Sequence, residues 1–317
     1  MLKNRVAIWI ILLASLAVSL IVGLSLGSER LSIFDLNGTQ AAIFFDIRLP
    51  RVLLGACVGA SLAAAGASLQ ALLRNPLAEP YLLGVSNGAA LGTMLAFVFF
   101  EQFVFARPLL AFAGAGLATM TVYQMARSRA GMNVERLVLS GVIVTTFLSS
   151  IIVLLTSLLD AARLRGFTFW LLGDLSQATM SGFYLTLVSV VLGTIVLTAQ
   201  ARPLNLMMIG ERDALDFGVE VARVRMIVFG LASLLVGMAV AASGSVGYVG
   251  LIVPHLVRLA IGSDNRLVVP LSAIAGAIFV VLADTIARTA IAPRELPVGA
   301  ITALIGAPMF IYLLRRS

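Results

Sequence analysis

Asn75-Pro-Leu-Ala-Glu-Pro-Tyr-Leu-Leu-Gly-Val-Ser-Asn-Gly-Ala-Ala-Leu-Gly92 is a proline- and glycine-interrupted hinge set between two membrane-length apolar stretches. Proline removes a backbone donor and glycine permits positive φ, so such a backbone cannot lie against lipid. It must be buried in protein or face water. A broken backbone between apolar spans belongs to a pathway, and the stretch therefore points to transport.

Composition agrees. Of 317 residues, 60% are hydrophobic and 12% charged, with mean hydropathy +1.06, where a soluble domain carries about 25% charged residues. At about 20 residues per helical span, the chain holds about ten spans with short connections and no soluble domain beside them. It reads as an all-α polytopic membrane protein, with 1–317 forming a single transmembrane domain. The single cysteine, Cys57, lies in an apolar run, which excludes a disulfide framework and a cysteine metal cluster. The net charge of +7 does not indicate nucleic acid, because the basic residues are nearly all arginines dispersed at span ends.

The apolar runs predict spans at 7–27, 52–73, 82–100, 108–126, 137–159, 181–199, 226–243, 248–260, 268–286 and 297–314. The first reads as an uncleaved anchor, with Lys3 and Arg5 ahead of it and no clear cleavage site. With the N terminus inside, the inner connections hold the larger share of the 22 Lys and Arg residues, as the positive-inside rule requires. The arginines left outside are nevertheless many. A repeat is suggested by Val58-Gly59 with Ala63, Ala64 and Gly66, which recurs at Val236-Gly237 with Ala241, Ala242 and Gly244. The same offset of 178 carries Pro76 onto Pro254 and Gly84 onto Gly262. The two copies start in spans of opposite direction, the arrangement of an inverted repeat around a substrate path. The alternative is plain helix packing, since Gly55, Gly59, Ala63 and Ala67 share one helical face.

Several chemistries are excluded. Lys3 is the only lysine, so no P-loop is present. His255 is the only histidine; following Pro254, it reads as a hydrogen-bonded structural residue that fills the gap left by the proline. Asp284 is the one carboxylate well inside an apolar span, with Arg288 one turn later at ion-pair spacing. A proton-coupled carrier needs more buried carboxylates than this. The energy source is therefore expected to be external, with an ion-gradient-driven secondary transporter as the competing reading. No cofactor is implied. The longest inner connection, 200–225, carries Leu204, Met207, Met208, Leu215 and Phe217 among polar residues and reads as two short helices broken near Gly210 and Gly218. Its apolar ridge suits either a groove on a soluble partner or the lipid headgroups.

Five ordered motifs carry a family resemblance from about residue 45 to the C terminus: Arg48-Leu-Pro-Arg51; Asn75-Pro76-Leu77-Ala78 with Leu83-Gly84-Val85-Ser86; Gly210-Glu211 to Ala214-Leu215-Asp216-Phe217-Gly218; Gly247-Tyr248-Val249-Gly250-Leu251-Ile252-Val253-Pro254-His255; and Glu295-Leu296-Pro297-Val298-Gly299. Together they resemble the FecCD family, the permeases of type II ABC importers for ferric siderophores, haem and cobalamin. The resemblance implies a ten-span subunit that pairs with a second permease subunit, as a homodimer or with a paralogue. It also implies two cytoplasmic ATPase subunits, a periplasmic or lipid-anchored substrate-binding protein, and residence in the bacterial plasma membrane.

The resemblance also assigns roles. Arg48, Arg51 and Arg288 match outward arginines that meet carboxylates on the binding protein. Asn75 and Leu77 match an inner gate; Val134 and Glu135 stand where the cobalamin importer of the family has small hydroxyl residues in a second gate. The coupling segment includes Leu204, Met207, Gly210, Glu211, Ala214, Leu215 and Gly218. Alternating access driven by the ATPases follows, with a ferric siderophore as first choice of cargo ahead of cobalamin and haem.

Overall fold

The computed structural model describes residues 2–27, 38–100, 102–103, 105–128 and 131–315. In chain order the helices are α1 Leu2–Ser25, α2 Thr39–Ala42, α3 Leu49–Leu72, α4 Val85–Phe99, α5 Ala106–Ala126, α6 Val134–Thr156, α7 Ala161–Leu171, α8 Met180–Ala199, α9 Ala201–Ile209, α10 Glu211–Asp216, α11 Val221–Ser243, α12 Val249–Ile261, α13 Asn265–Thr289 and α14 Val298–Leu314. A π-helical turn, Ile43–Arg48, joins α2 to α3 in one long rod. The only strands among the described residues are the two-residue pair Arg127–Ser128 and Gly131–Met132 between α5 and α6.

Among the described residues, seven helices are long and apolar enough to cross a membrane, and α4, α12 and α14 are shorter apolar helices. They occupy the ten expected spans. Three features lie outside that expectation: the rod through α3 begins at Thr39 rather than residue 52, α7 is an additional short helix, and α12 starts deep in the bundle. Polar caps fix several boundaries. Asn133, Asp160, Thr179 and Asp264 each accept a backbone N–H from the first turn of the helix they precede.

α3 is the axis of the fold, packing on α13 most extensively and also on α11, α12 and α8. Small residues permit this: a Cβ on Gly59 would collide with the Gly276 carbonyl of α13, and one on Gly66 with the backbone of Gly250 in α12. α4 and α5 form a second pair. α7 leans on α4 through Phe167, whose ring meets Phe97 edge-on at 6.2 Å, while the Arg107 guanidinium lies 4.3 Å over Phe97.

The 178-residue offset relates some settings and not others. Gly59 and Gly237 both lie inside long helices, and Gly84 and Gly262 both take positive φ. Pro76, however, sits in a turn while Pro254 is inside α12, and Gly66 is mid-helix while Gly244 ends α11. The short helices match in another register: Gly84 precedes α4 and Tyr248 precedes α12, both left-handed, with φ of 76° and 67°. The connection 244–248 is shorter than 73–84, so one offset cannot serve both halves.

Candidate functional site

The hinge after α3 is built by its own polar side chain. Past Leu72 the chain turns at Arg74, which takes a positive φ of 49°. The Asn75 side-chain carbonyl then accepts the Leu77 N–H at 2.9 Å, closing an Asx turn over Pro76. Asn75 and Leu77 are both exposed, Leu77 to 43%. Val134 is half-buried and Glu135 exposed at the start of α6. The turn brings Asn75 and Leu77 together, whereas Val134 and Glu135 belong to a separate helix start.

Beyond Leu77 the hinge turns inward and meets the other break in the fold. Glu79 accepts the Tyr248 N–H at 3.2 Å, and the Tyr81 hydroxyl both donates to the Val246 carbonyl and accepts the Val246 N–H, each at 3.0 Å. The hydroxyls of Ser86 and Ser245 lie 3.2 Å apart. Gly250 faces α3 at Gly66 and Leu62, short of the end of α3 at Leu72. At about 1.5 Å per residue, the start of α12 therefore lies roughly 9–15 Å inside that end. Two short helices thus begin inside the protein, and the segments that lead into them are hydrogen-bonded to each other. Exposed backbone donors and acceptors of this kind are tolerated at membrane depth only inside protein or beside a water-filled cavity.

Gln70 holds this junction together. Its side-chain amide donates toward the carbonyls of Ala78, Gly250 and Leu251 at 3.3, 3.2 and 3.1 Å. Its own carbonyl accepts from Arg258, whose guanidinium also donates to the Ala67 carbonyl at 3.0 Å. In a regular helix the Gly250 carbonyl would be bonded by residue 254, but Pro254 has no N–H to give. Gln70 therefore does the work expected of His255. His255 is half-buried, and its imidazole makes no hydrogen bond among the described residues. A lone amide in the Ala/Leu run of α3 was the sequence signal.

Beside the end of α1, Arg48, Arg51 and Arg288 come together, but as buried groups rather than free rim charges, at 5%, 6% and 3% exposure. Arg51 bridges Asp284 at 3.0 Å and Glu295 at 2.7 Å. Arg288 contacts Asp284 at 2.9 Å, the pair expected one turn apart, as a charge contact without an aligned hydrogen bond. Arg48 donates to the carbonyls of Leu24 and Ser25, and Arg288 to those of Gly23 and Leu26. These are the orphan carbonyls at the end of α1, where cations also meet the negative end of the helix dipole. Three of the arginines expected outside are thus spent on in-chain partners. The side chain of Glu295 is 38% exposed and is the cluster's most accessible member.

The 200–225 segment forms two short helices, α9 and α10, broken at Gly210, with Gly218 past α10 at φ 77°. The expected apolar ridge is only half right. Leu204 and Met207 are buried, at 0% and 2%, because positions three apart on α9 turn toward α3 and α13, and Ala214 of α10, which packs on α9 and α11, is buried at 0%. The apolar residues left outward are Ile209, Leu215 and Phe217. Glu211 pairs with Arg225 at 2.8 Å and fixes α10 to the start of α11. The Asn205 amide donates to Asp264 at 2.8 Å and its carbonyl accepts from the Asn265 backbone and side chain at 3.0 and 2.8 Å. This tie joins α9 to the N-cap of α13. Hydrogen bonds from Arg266 first, opposed by partial burial and helped by Asn205, hold the Asp264 carboxyl down at about 2. Sequence reasoning missed Asn205, Asp264 and Asn265, although Asp264 before an apolar run is an N-cap signature.

The FecCD transport family model matches residues 8–316. The chain belongs to that family. It is 44% identical to the cobalamin import system permease protein BtuC of Halobacterium salinarum, over 89% of this chain and 76% of that protein. It is 38% identical to the hemin transport system permease protein HmuU of Yersinia pestis, over 94% and 93% of the two chains. Among solved structures, an inward-facing conformation of a metal-chelate type ABC transporter superposes with TM-score 0.89 at 32% identity, covering 99% of this chain and 100% of that one. The chain is a multi-pass permease of the ABC importer type, as the ordered motifs implied.

Proposed function

We propose that this permease carries a metal chelate, a ferric siderophore or a related haem- or cobalamin-class complex, across the plasma membrane. In this reading it pairs with a second permease subunit, receives cargo from a substrate-binding protein outside, and contains no nucleotide site of its own. Separate ATPase subunits engage Ile209, Leu215 and Phe217. The observation that carries the reading is the continuous connection from α9 through Asn205, Asp264 and Asn265 to α13, which packs on α3, the helix that ends in the Asn75-Leu77 hinge. Closure of the ATPases would move α9 and α10, and the tie would pass that movement to the helices flanking the path.

Asn75 and Leu77 form the inner constriction in this proposal, with Val134 and Glu135 as a second ring. At the outer face, a carboxylate of the binding protein replaces Glu295 on Arg51, so that docking loosens the junction of α13, α1 and α3. Arg48 and Arg288 act with Arg51 by holding the end of α1 at that junction. The test is reconstitution: vesicles containing the permease, its ATPase and its binding protein should accumulate labelled ferric siderophore, haem or cobalamin only with ATP. Uptake by the permease alone under an ion gradient would overturn the reading in favour of a secondary carrier.

A further inference from the structure

We propose that the groove between α5 and α11 binds an anionic phospholipid of the inner leaflet, with its acyl chain between the helices and its head group at Arg127 and Arg223. The groove is an apolar cavity of about 310 Å³. Its wall includes Tyr123 stacked on Phe229, with centroids 6.0 Å apart. Two glycines hollow it. A Cβ added to Gly116 or Gly230 would meet nothing within 4 Å, so neither glycine is there to let helices approach. The Ser233 hydroxyl, buried and without a partner, lines the same hollow.

Through Tyr123 and Met226 the cavity continues into a second hollow of about 580 Å³, lined by Arg127, Arg223, Glu220 and Leu215 among others. Arg127 is exposed, and Arg223 meets Glu220 only at 3.8 Å with its side chain 68% exposed. Two arginines against one glutamate leave the mouth positive. An apolar slot that opens into a basic mouth at the cytoplasmic end has the chemistry of an anionic lipid. The lengths agree: from Gly116 to Arg127 an α-helix rises roughly 16 Å, and one leaflet of hydrocarbon is about 15 Å deep. The mouth also contains Leu215 of α10, so the head group would adjoin the coupling surface.

The test reconstitutes the full-length protein in mixed phosphatidylcholine and phosphatidylglycerol vesicles, extracts it mildly, and measures retained lipid by native mass spectrometry. Wild type should retain phosphatidylglycerol in preference. Gly116→Leu with Gly230→Leu fills open space and should abolish retention of both lipids. Arg127→Gln with Arg223→Gln, both at exposed positions, should lower the phosphatidylglycerol preference by about fivefold per arginine while phosphatidylcholine retention persists. Equal retention of the two lipids by wild type, or unchanged preference in the arginine variant, overturns the proposal. Efficient disulfide crosslinking of two chains through Gly230→Cys also overturns it, because the groove would then be a protein interface.

Discussion

The side-chain amide of Gln70 donates to the Gly250 carbonyl at 3.2 Å, the acceptor that Pro254 leaves unpaired one turn later. Gln70→Ala should therefore destabilise the protein by about 1–3 kcal/mol, the cost of leaving buried polar groups without partners. Pro254→Ala restores a helical N–H to that carbonyl, so the loss from Gln70→Ala should shrink in the Pro254→Ala background. Thermal unfolding of the two single variants and the double variant decides. Strictly additive losses would remove the link between amide and proline.

Asn205→Ala should uncouple the inner helices from α13. ATP hydrolysis by the assembled transporter is expected to persist while uptake per ATP falls severalfold, and equal coupling in wild type and variant would show that the tie is incidental.

The pH dependence of that tie has a definite sign. Asp264 is held at about 2, below the ordinary carboxylate value of about 4. Its contribution is fully present above the unfolded value and is lost as pH falls through the folded one. The protection of amides in the first turn of α13, each exchange rate taken relative to the intrinsic rate at the same pH, should be constant from about pH 5 to 8 and should fall from about pH 4 toward 2. Asp264→Asn should abolish that acid-dependent step.

The outer cluster calls for a test other than charge reversal of Arg51. Arg51→Glu would set a new acid beside Asp284 and Glu295, and breaking a buried pair costs about 3–5 kcal/mol, which would confuse docking with folding. Glu295→Gln removes the accessible competitor while leaving Arg51 on Asp284. If the binding protein's carboxylate takes the place of Glu295, this variant should associate more tightly, most clearly at low salt. Unchanged or weaker association would make the arginines purely structural.

If Asn75 and Leu77 form the inner constriction proposed above, Leu77→Ala should widen it and raise substrate leakage or uncoupled ATP hydrolysis with assembly intact. In a well-assembled variant, unaltered leakage and coupling would leave the hinge a structural turn.

If Ile209, Leu215 and Phe217 engage the ATPase as proposed, Phe217→Asp should reduce ATPase co-purification with little change in thermal stability, since Phe217 is 74% exposed. Leu204→Ala should do the reverse, costing about 2–5 kcal/mol of stability through a cavity at a fully buried site. If Leu204→Ala weakens ATPase binding at unchanged stability, the buried assignment of α9 fails.

The class, the ten apolar spans, the break at Asn75-Pro76, the paired short helices around Gly210 and the family were all legible in the sequence, because length, hydropathy period and turn chemistry are local properties of the chain. It also placed Asp284 and Arg288 one turn apart, since helical spacing alone fixes that pair. The assembled helices were needed to show that Arg48, Arg51 and Arg288 are buried, that Leu204 and Met207 anchor α9 in the bundle, and that Gln70 rather than His255 serves the carbonyl freed by Pro254. Gln70 and Gly250 lie 180 positions apart. In a chain where apolar residues face lipid and core alike, no periodicity tells the two sides apart, so which side chain meets which is settled by packing between distant helices.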